Sequence, residues 1–370
     1  MQQFKPNGTF RIMQITDTQE DPNVSPDTVR LIDAALDKAK PDLVVFTGDQ
    51  IKGYSTKFRG KDAKTKVKGA LDAITGPVRS RGIPFAVTFG NHDKQALPEE
   101  EQMAIYRESP LCINPAEEIA GSHGTFHIPI FSSTGEKVAF NLYLIHSGGD
   151  AKGGGYENVN EEKIRWYQAT REQLKEQVGA YVPSLVFQHI PVDEYYQILK
   201  RADKKTKGAV RAYRTHKDEY YVLPDELLAN GHFLGERPAS PDVNSGEFEA
   251  LAEKGEVLGM WVGHDHINSF AGNHKGIDLG YTQGAGFNVY GPGVNRGVRV
   301  FDLDETKPNT YKTHTLTFQA LVGKKVKKPL KNYLYSHVPT TVDAAIPLII
   351  KTLLALAAII AAIVVLVKIL

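Results

Sequence analysis

A single cysteine, Cys112, stands among the 370 residues. No disulfide can form within the chain, which fits a reducing compartment. Charge of one sign is also missing: 44 Lys and Arg against 43 Asp and Glu leave a formal net charge of +1. With no global field to steer the protein to a polyanion, nucleic acid is not expected as a partner. The first residues, MQQFKPNGTFRIMQ, contain no long apolar run, so no secretory signal is read there. Internal repeats and low-complexity tracts are absent too, which excludes solenoids and fibrous classes.

What is present is a globular composition, 41% hydrophobic and 24% charged, in a chain long enough to bury a large core. The far end differs. From 344 to 367 only Lys351 and Thr352 interrupt an apolar stretch. About 24 helical residues would reach roughly 36 Å, against a hydrocarbon core of about 30 Å. A transmembrane tail anchor is therefore expected over 344–367, after a basic linker over 319–343. Lys324, Lys325, Lys327, Lys328 and Lys331 precede the stretch and only Lys368 follows it. That asymmetry places the bulk of the chain on the cytoplasmic side of a membrane.

Five short apolar runs each lead into a metal-binding side chain. RIMQIT precedes Asp17, DLVVFTG precedes Asp49, and PFAVTFG precedes Asn91 and His92. SLVFQ precedes His189, and LGMWVG precedes His264 and His266. Runs this short, rich in Val, Ile and Phe, read as buried strands. Helical spacing follows the first two, near 26–38 and 66–74, and again over 161–178, so the opening reads βαβαβ. Alternating segments near 124–130, 138–146, 276–281 and 296–302 supply a second sheet. Residues 98–122 read as an irregular or helical excursion and 200–245 as a loop-rich insertion over the site.

Open α/β sheets collect ligands at the carboxyl ends of their strands. Five deliveries of Asp, Asn and His there point to a two-metal hydrolytic centre, with Asp49 as the natural bridging carboxylate. Mixed carboxylate, amide and imidazole donors suit Mn, Fe or Zn better than Ca or Mg. His146 has no place in that set and reads as structural or pocket-lining. Arg296 and Arg299 read as salt-bridge partners in preference to phosphate ligands, and Asp265 as a hydrogen-bonding partner of backbone or a ligand imidazole.

The order of Asp17 and Gln19, GD at 48–49, GNHD at 90–93, His189 and GHDH at 263–266 resembles the calcineurin-like metallophosphoesterases, in their purple-acid-phosphatase-related branch. With FQHIP, NSGEFEAL and RGVRVFDL, the resemblance spans roughly residues 8–304. It implies a four-layer α/β/β/α sandwich over residues 1–318. It also implies hydrolysis of a phosphate ester, in a small molecule or a phosphoprotein, by metal-bound hydroxide on two divalent ions. Carried over residue by residue, Asp17 and His266 would hold one ion, Asn91, His189 and His264 the other, with Asp49 between them. His92 would serve the leaving oxygen and Asp93 would orient His92. Where the commonest pattern has histidine two residues after the first aspartate, this chain has Gln19. Where purple acid phosphatases place a tyrosine after the bridging aspartate it has Lys52, with Tyr54 two residues on. Gln19 would either give Oε1 to the metal or hydrogen-bond a bound water. A non-catalytic membrane-anchored binding protein with a degenerate first metal site is the alternative.

Overall fold

Alternation of side chains along a strand decides where each strand can lie. In Thr9–Ile15, Phe10 and Ile12 turn to one apolar cluster while Met13 and Ile15 turn to another. Leu43–Thr47 does the same with Leu43 and Val45 against Val44 and Phe46. Both faces are apolar, so these strands must be covered on both sides.

The computed structural model of the chain describes its residues except 230, 341 and 370; side chains at 342–344, 362 and 365–369 are likewise outside the description. Two compact units divide it, Met1–Ser336 and His337–Leu370.

The first unit holds two mixed sheets. The five-stranded one runs, edge to edge, Tyr311–Thr317, Gly297–Asp304, Thr9–Ile15, Leu43–Thr47 and Phe85–Thr88, its last three strands parallel. The seven-stranded one centres on Val138–Leu144, Ser184–Phe187, Val257–Val262 and Ile277–Tyr281, mutually parallel in that order. Between the sheets lies one dry layer: Ile12, Leu43, Val45 and Ala86 from the first meet Leu142, Leu185, Phe187 and Trp261 from the second. Outside the first sheet, helices Pro26–Ala39 and Ala63–Ser80 bury Leu31, Leu36, Leu71 and Ile74. Outside the second, Glu161–Val178 and Glu247–Ala252 bury Tyr167, Leu174, Phe248 and Leu251. The result is an α/β fold in which the expected helix–sheet–sheet–helix layering is present.

Local signals set the helix ends. Ser25 accepts from Asp27 N ahead of Pro26, and Asn160 accepts from Lys163 N at the start of Glu161–Val178, which stops at Gly179 in the left-handed region. The excursion over 98–122 contains the helix Glu99–Arg107. The insertion over 200–245 carries a three-stranded sheet of Lys200–Arg201, Tyr220–Val222 and Val210–Arg211, so it is more ordered than a loop. Residues 319–336, read as linker, belong to the first unit. Val322 and Val326 pack against its core, and Lys327 N donates to Asp27.

Besides the segment read over 296–302, which pairs with Thr9–Ile15 in the first sheet and not in the second, two expectations need correction. Arg296 and Arg299 are fully buried and make no salt bridge among the described residues. Arg296 donates to the carbonyls of Gly286 and Val289, and Arg299 donates to Tyr281 O and stacks on Trp261. Their guanidiniums satisfy backbone oxygens where the chain turns, a task that needs five donors and no anion. The second correction concerns the tail. The helix Val342–Ile369 forms, with apolar side chains such as Leu354 (66%) and Ile360 (61%) exposed. Among the described residues, however, no helix is long and apolar enough to cross a membrane. Consecutive described side chains run from 345 to 361, about 26 Å of helix against a hydrocarbon core of about 30 Å. The rest of the expected span, at 344, 362 and 365–367, lies outside the described residues.

Candidate metal centre

Each run read as a strand ends two to four residues short of its polar side chains. Asp17 follows Thr9–Ile15, Asp49 follows Leu43–Thr47 and Asn91 follows Phe85–Thr88. His189 follows Ser184–Phe187, while His264 and His266 follow Val257–Val262. One sheet thus supplies the oxygen donors and the other the imidazoles. Three of these turns bend through the left-handed region at four non-glycine residues: Asp17 (φ 51°), Gln19 (33°), Asp49 (52°) and His264 (69°). Strain of this kind persists only where the surroundings over-determine it, and it gathers at functional sites.

The residues converge. Ligand atoms of Asp17, Asp49 and His189 all lie within 4.8 Å of one another. Asp49 Oδ2 is 3.4 Å from His189 Nε2, Asp17 Oδ1 is 3.2 Å from His266 Nε2, and His264 Nδ1 is 3.3 Å from His189 Nε2. The outward ring nitrogens are already taken: His189 Nδ1 donates to Thr47 O (2.9 Å) and His266 Nδ1 to Tyr290 O (3.0 Å). That fixes Nε2 of each as the inward nitrogen, the arrangement usual for metal-ligating histidines. His266 also stacks flat on Tyr290, centroids 4.3 Å apart, and Tyr156 stands edge-on to His264 at 4.4 Å.

Among the proposed ligand atoms, two buried oxygens have no hydrogen-bond partner, Asp17 Oδ1 and Asn91 Oδ1. An orphaned buried acceptor is costly unless something cationic meets it. Asn91 is aimed by Asp150, whose Oδ1 accepts its amide at 3.0 Å. The electrostatics agree. Burial pushes the Asp49 carboxyl up, but His189 and His92 beside it prevail and hold it below the usual range. Burial opposes protonation of His189, yet Asp49 and Asp17 raise it to about 10, while burial and the His189 charge push His264 down to about 3. Without an ion, a proton on His189 answers the two carboxylates. A divalent cation would take that proton's place. The donor set of carboxylate, amide oxygen and imidazole fits Mn, Fe or Zn.

Gln19 turns its amide nitrogen to Asp49 Oδ2 at 2.7 Å, while its Oε1 receives Tyr54 OH at 3.3 Å. A carboxylate only accepts, so Gln19 stands here as a hydrogen-bond donor to Asp49. Asp93 also departs from expectation. Its carboxylate accepts the backbone N–H groups of Asp49 (2.8 Å), Gln50 (2.9 Å) and Gly90 (2.8 Å). With Ile51 N as a fourth donor at 3.3 Å, it clamps the two loops that carry Asp49 and Asn91, while the His92 ring bonds elsewhere. His92 donates its backbone N–H to Asp49 Oδ1 (2.8 Å), and its Nδ1 meets Gln95 Oε1 at 3.0 Å. Gln95 in turn donates to Asp150 Oδ2 at 2.8 Å.

Gln95 and Asp150 were not read from the sequence. Gln95 lies one turn after His92, a faint signal. Asp150 follows the strand ending at Leu144, and its place after a strand end was the only hint. His146 is structural: its Nε2 pairs with Glu99 and its Nδ1 accepts Gly148 N. Asp265 accepts Ala239 N and Tyr281 OH.

Two face-to-face mixed sheets that close oxygen and imidazole donors on one buried centre define a metal-binding α/β sandwich. The chain belongs to the calcineurin-like phosphoesterase family, whose model matches residues 10–268, and that family membership implies two metal ions. Among curated proteins it is 28% identical over 344 residues to Probable inactive purple acid phosphatase 14 of Arabidopsis thaliana, covering 82% of this chain and 77% of that one. It is 25% identical over 337 residues to Phosphatase DCR2 of Saccharomyces cerevisiae, covering 82% and 53%. Among solved structures, a dimetal phosphatase from Danio rerio aligns over 84% of this chain and 99% of its own, at 13% identity and a TM-score of 0.48.

Proposed function

We propose that this chain is a metal-dependent phosphoesterase acting on a phosphorylated small molecule or phosphoprotein. The observation that carries the reading is the pair of orphaned oxygens, Asp17 Oδ1 and Asn91 Oδ1, beside the Asp17–Asp49–His189 cluster. Asp17 and His266 would hold one divalent ion, Asn91, His189 and His264 the second, with Asp49 shared. The ions, when bound, supply charge neutralisation on the phosphoryl oxygens and an acidified water. The chain's own part is positioning and proton delivery. Asp93 fixes the two loops, and Asp150 aims Asn91 directly and His92 through Gln95. With Nδ1 engaged by Gln95, His92 keeps Nε2 for the leaving oxygen.

Two observations favour a second reading, a binding protein without turnover: Gln19 donates to Asp49 where the commonest family pattern has a histidine, and relatives carry "inactive" in their names. Metal analysis with turnover of p-nitrophenyl and bis-p-nitrophenyl phosphate in Mn, Fe or Zn separates them. The catalytic reading expects about two ions per chain and phosphate release. Fewer than one tightly bound ion and no release would leave the binding protein. The exposed apolar side chains between Ile346 and Val364 and the lysines before them support attachment to an anionic membrane surface.

A further inference from the structure

We propose that Lys52 and Lys331 form an anion subsite beside the metal pocket, selecting substrates with a second phosphoryl group near the one cleaved. The substrate class rests on the phosphoesterase reading above. Lys52 stands in the loop after Asp49, its backbone N–H tied to Glu20 O at 2.8 Å. Its ammonium donates to the carbonyl of Asn288 at 3.3 Å, and the ammonium of Lys331 donates to Oδ1 of the same residue. Both lie over the ring of Tyr335, 5.5 and 5.3 Å from its centroid. Lys52 is also 5.2 Å from the centroid of Tyr54, whose ring stands 4.7 Å from that of His92 and whose hydroxyl reaches Gln19. Two cations are therefore gathered on one asparagine, a single ring away from the proposed proton donor.

Two ammoniums held on one residue repel, and among the described residues neither lysine has a carboxylate in salt-bridge range. The acids nearby are committed. Asp21 pairs with Lys57 at 2.5 Å, and the Glu20 carboxylate accepts from Ser25 N, Thr28 Oγ1 and Asn288 Nδ2. Burial lowers the pKa of both lysines, and the Lys331 charge lowers that of Lys52 further. Ordinary surface lysines escape such repulsion into water. Lys52 is half-buried, its ammonium lying over the rings of Tyr54 and Tyr335, and the short helix Pro329–Tyr335 brings Lys331 to it. Asp21 and Glu20 offset part of this charge without touching either ammonium; a tetrahedral phosphoryl dianion would meet both directly. With the scissile phosphate at the metals, the second would sit on this pair. A lipid headgroup and a free bisphosphate share that chemistry.

The test uses the full chain loaded with Mn and titrates two ligands that cannot be hydrolysed, butane-1,4-bisphosphonate and butylphosphonate. Wild type should bind the bisphosphonate about tenfold more tightly or better. That preference should fall toward one in Lys52→Met and Lys331→Met and persist in Lys331→Arg. A wild-type preference near one, or one unchanged in both Met variants, overturns the subsite. Binding is read without turnover, so a protein that fails to release p-nitrophenol sinks the catalytic reading alone. Flotation on phosphatidylcholine vesicles with and without phosphatidic acid identifies the source. Lys331→Met weakening the vesicle interaction in parallel assigns the anion to a lipid; weakening confined to the bisphosphonate assigns it to a soluble molecule.

Discussion

His92 touches the proposed ligand set only through its backbone, while Asp49 stands at the centre of it. Asp49→Asn should therefore abolish turnover and metal content together. His92→Ala should lower kcat by about 10²–10⁴ with metal content near wild type by elemental analysis. Metal loss in His92→Ala as deep as in Asp49→Asn would overturn that division of labour. Glu247 offers an independent residue-scale test. Burial, reinforced by Glu194, pushes its carboxyl up from 4.5 to about 8. Below 4.5 folded and unfolded chains both carry the proton. Between 4.5 and about 8 only the folded chain does, so stability falls as pH rises through that window. Glu247→Gln cannot ionise, and urea unfolding should show it losing less stability than wild type between pH 5 and pH 8.5. Parallel curves for the two proteins would show that Glu247 ionises in the fold as it does in water.

At the scale of elements, the tightest point lies where the turns after Leu43–Thr47 and Phe85–Thr88 meet. A Cβ on Gly90 would fall against the Asp49 carboxylate and 2.6 Å from Asp49 N, closer than real Cβ atoms come. Gly90→Ala should lower Tm by several degrees, on the order of 1–3 kcal/mol, and reduce metal content although no ligand is altered; calorimetry with metal analysis checks both. The strands were legible because each is a short run of β-branched and aromatic residues, and period-two alternation told the two buried faces apart. Their terminal Asp, Asn and His were legible for the same reason. The clamp made by Asp93, the Gln95–Asp150 relay and the amide orientation of Gln19 were not. Each depends on how loops 30 to 59 residues apart in sequence close on one another, which no local pattern encodes. Arg296 and Arg299 misled because a charged residue after a turn suggests an ionic partner, whereas folded carbonyls satisfied them.

For the whole molecule, the division at Ser336 says where the chain can be cut. A chain ending at 336 keeps Lys331 and Tyr335 and every residue of the metal centre. It should fold, bind metal and turn over substrate as the full chain does, while losing any partition into detergent or vesicles. A fragment that stayed with the membrane fraction in flotation would show that the first unit itself carries the attachment. The two sheets meet across an apolar layer in the middle, but at the strand ends their meeting is ionic. Asp17, Asp49 and Asn91 come from one sheet, His189, His264 and His266 from the other. Cations seated there would work as a hinge pin through both leaves of the sandwich. Chelation would then do more than silence the chemistry: it would draw the pin and let halves that melt as one come apart in two stages.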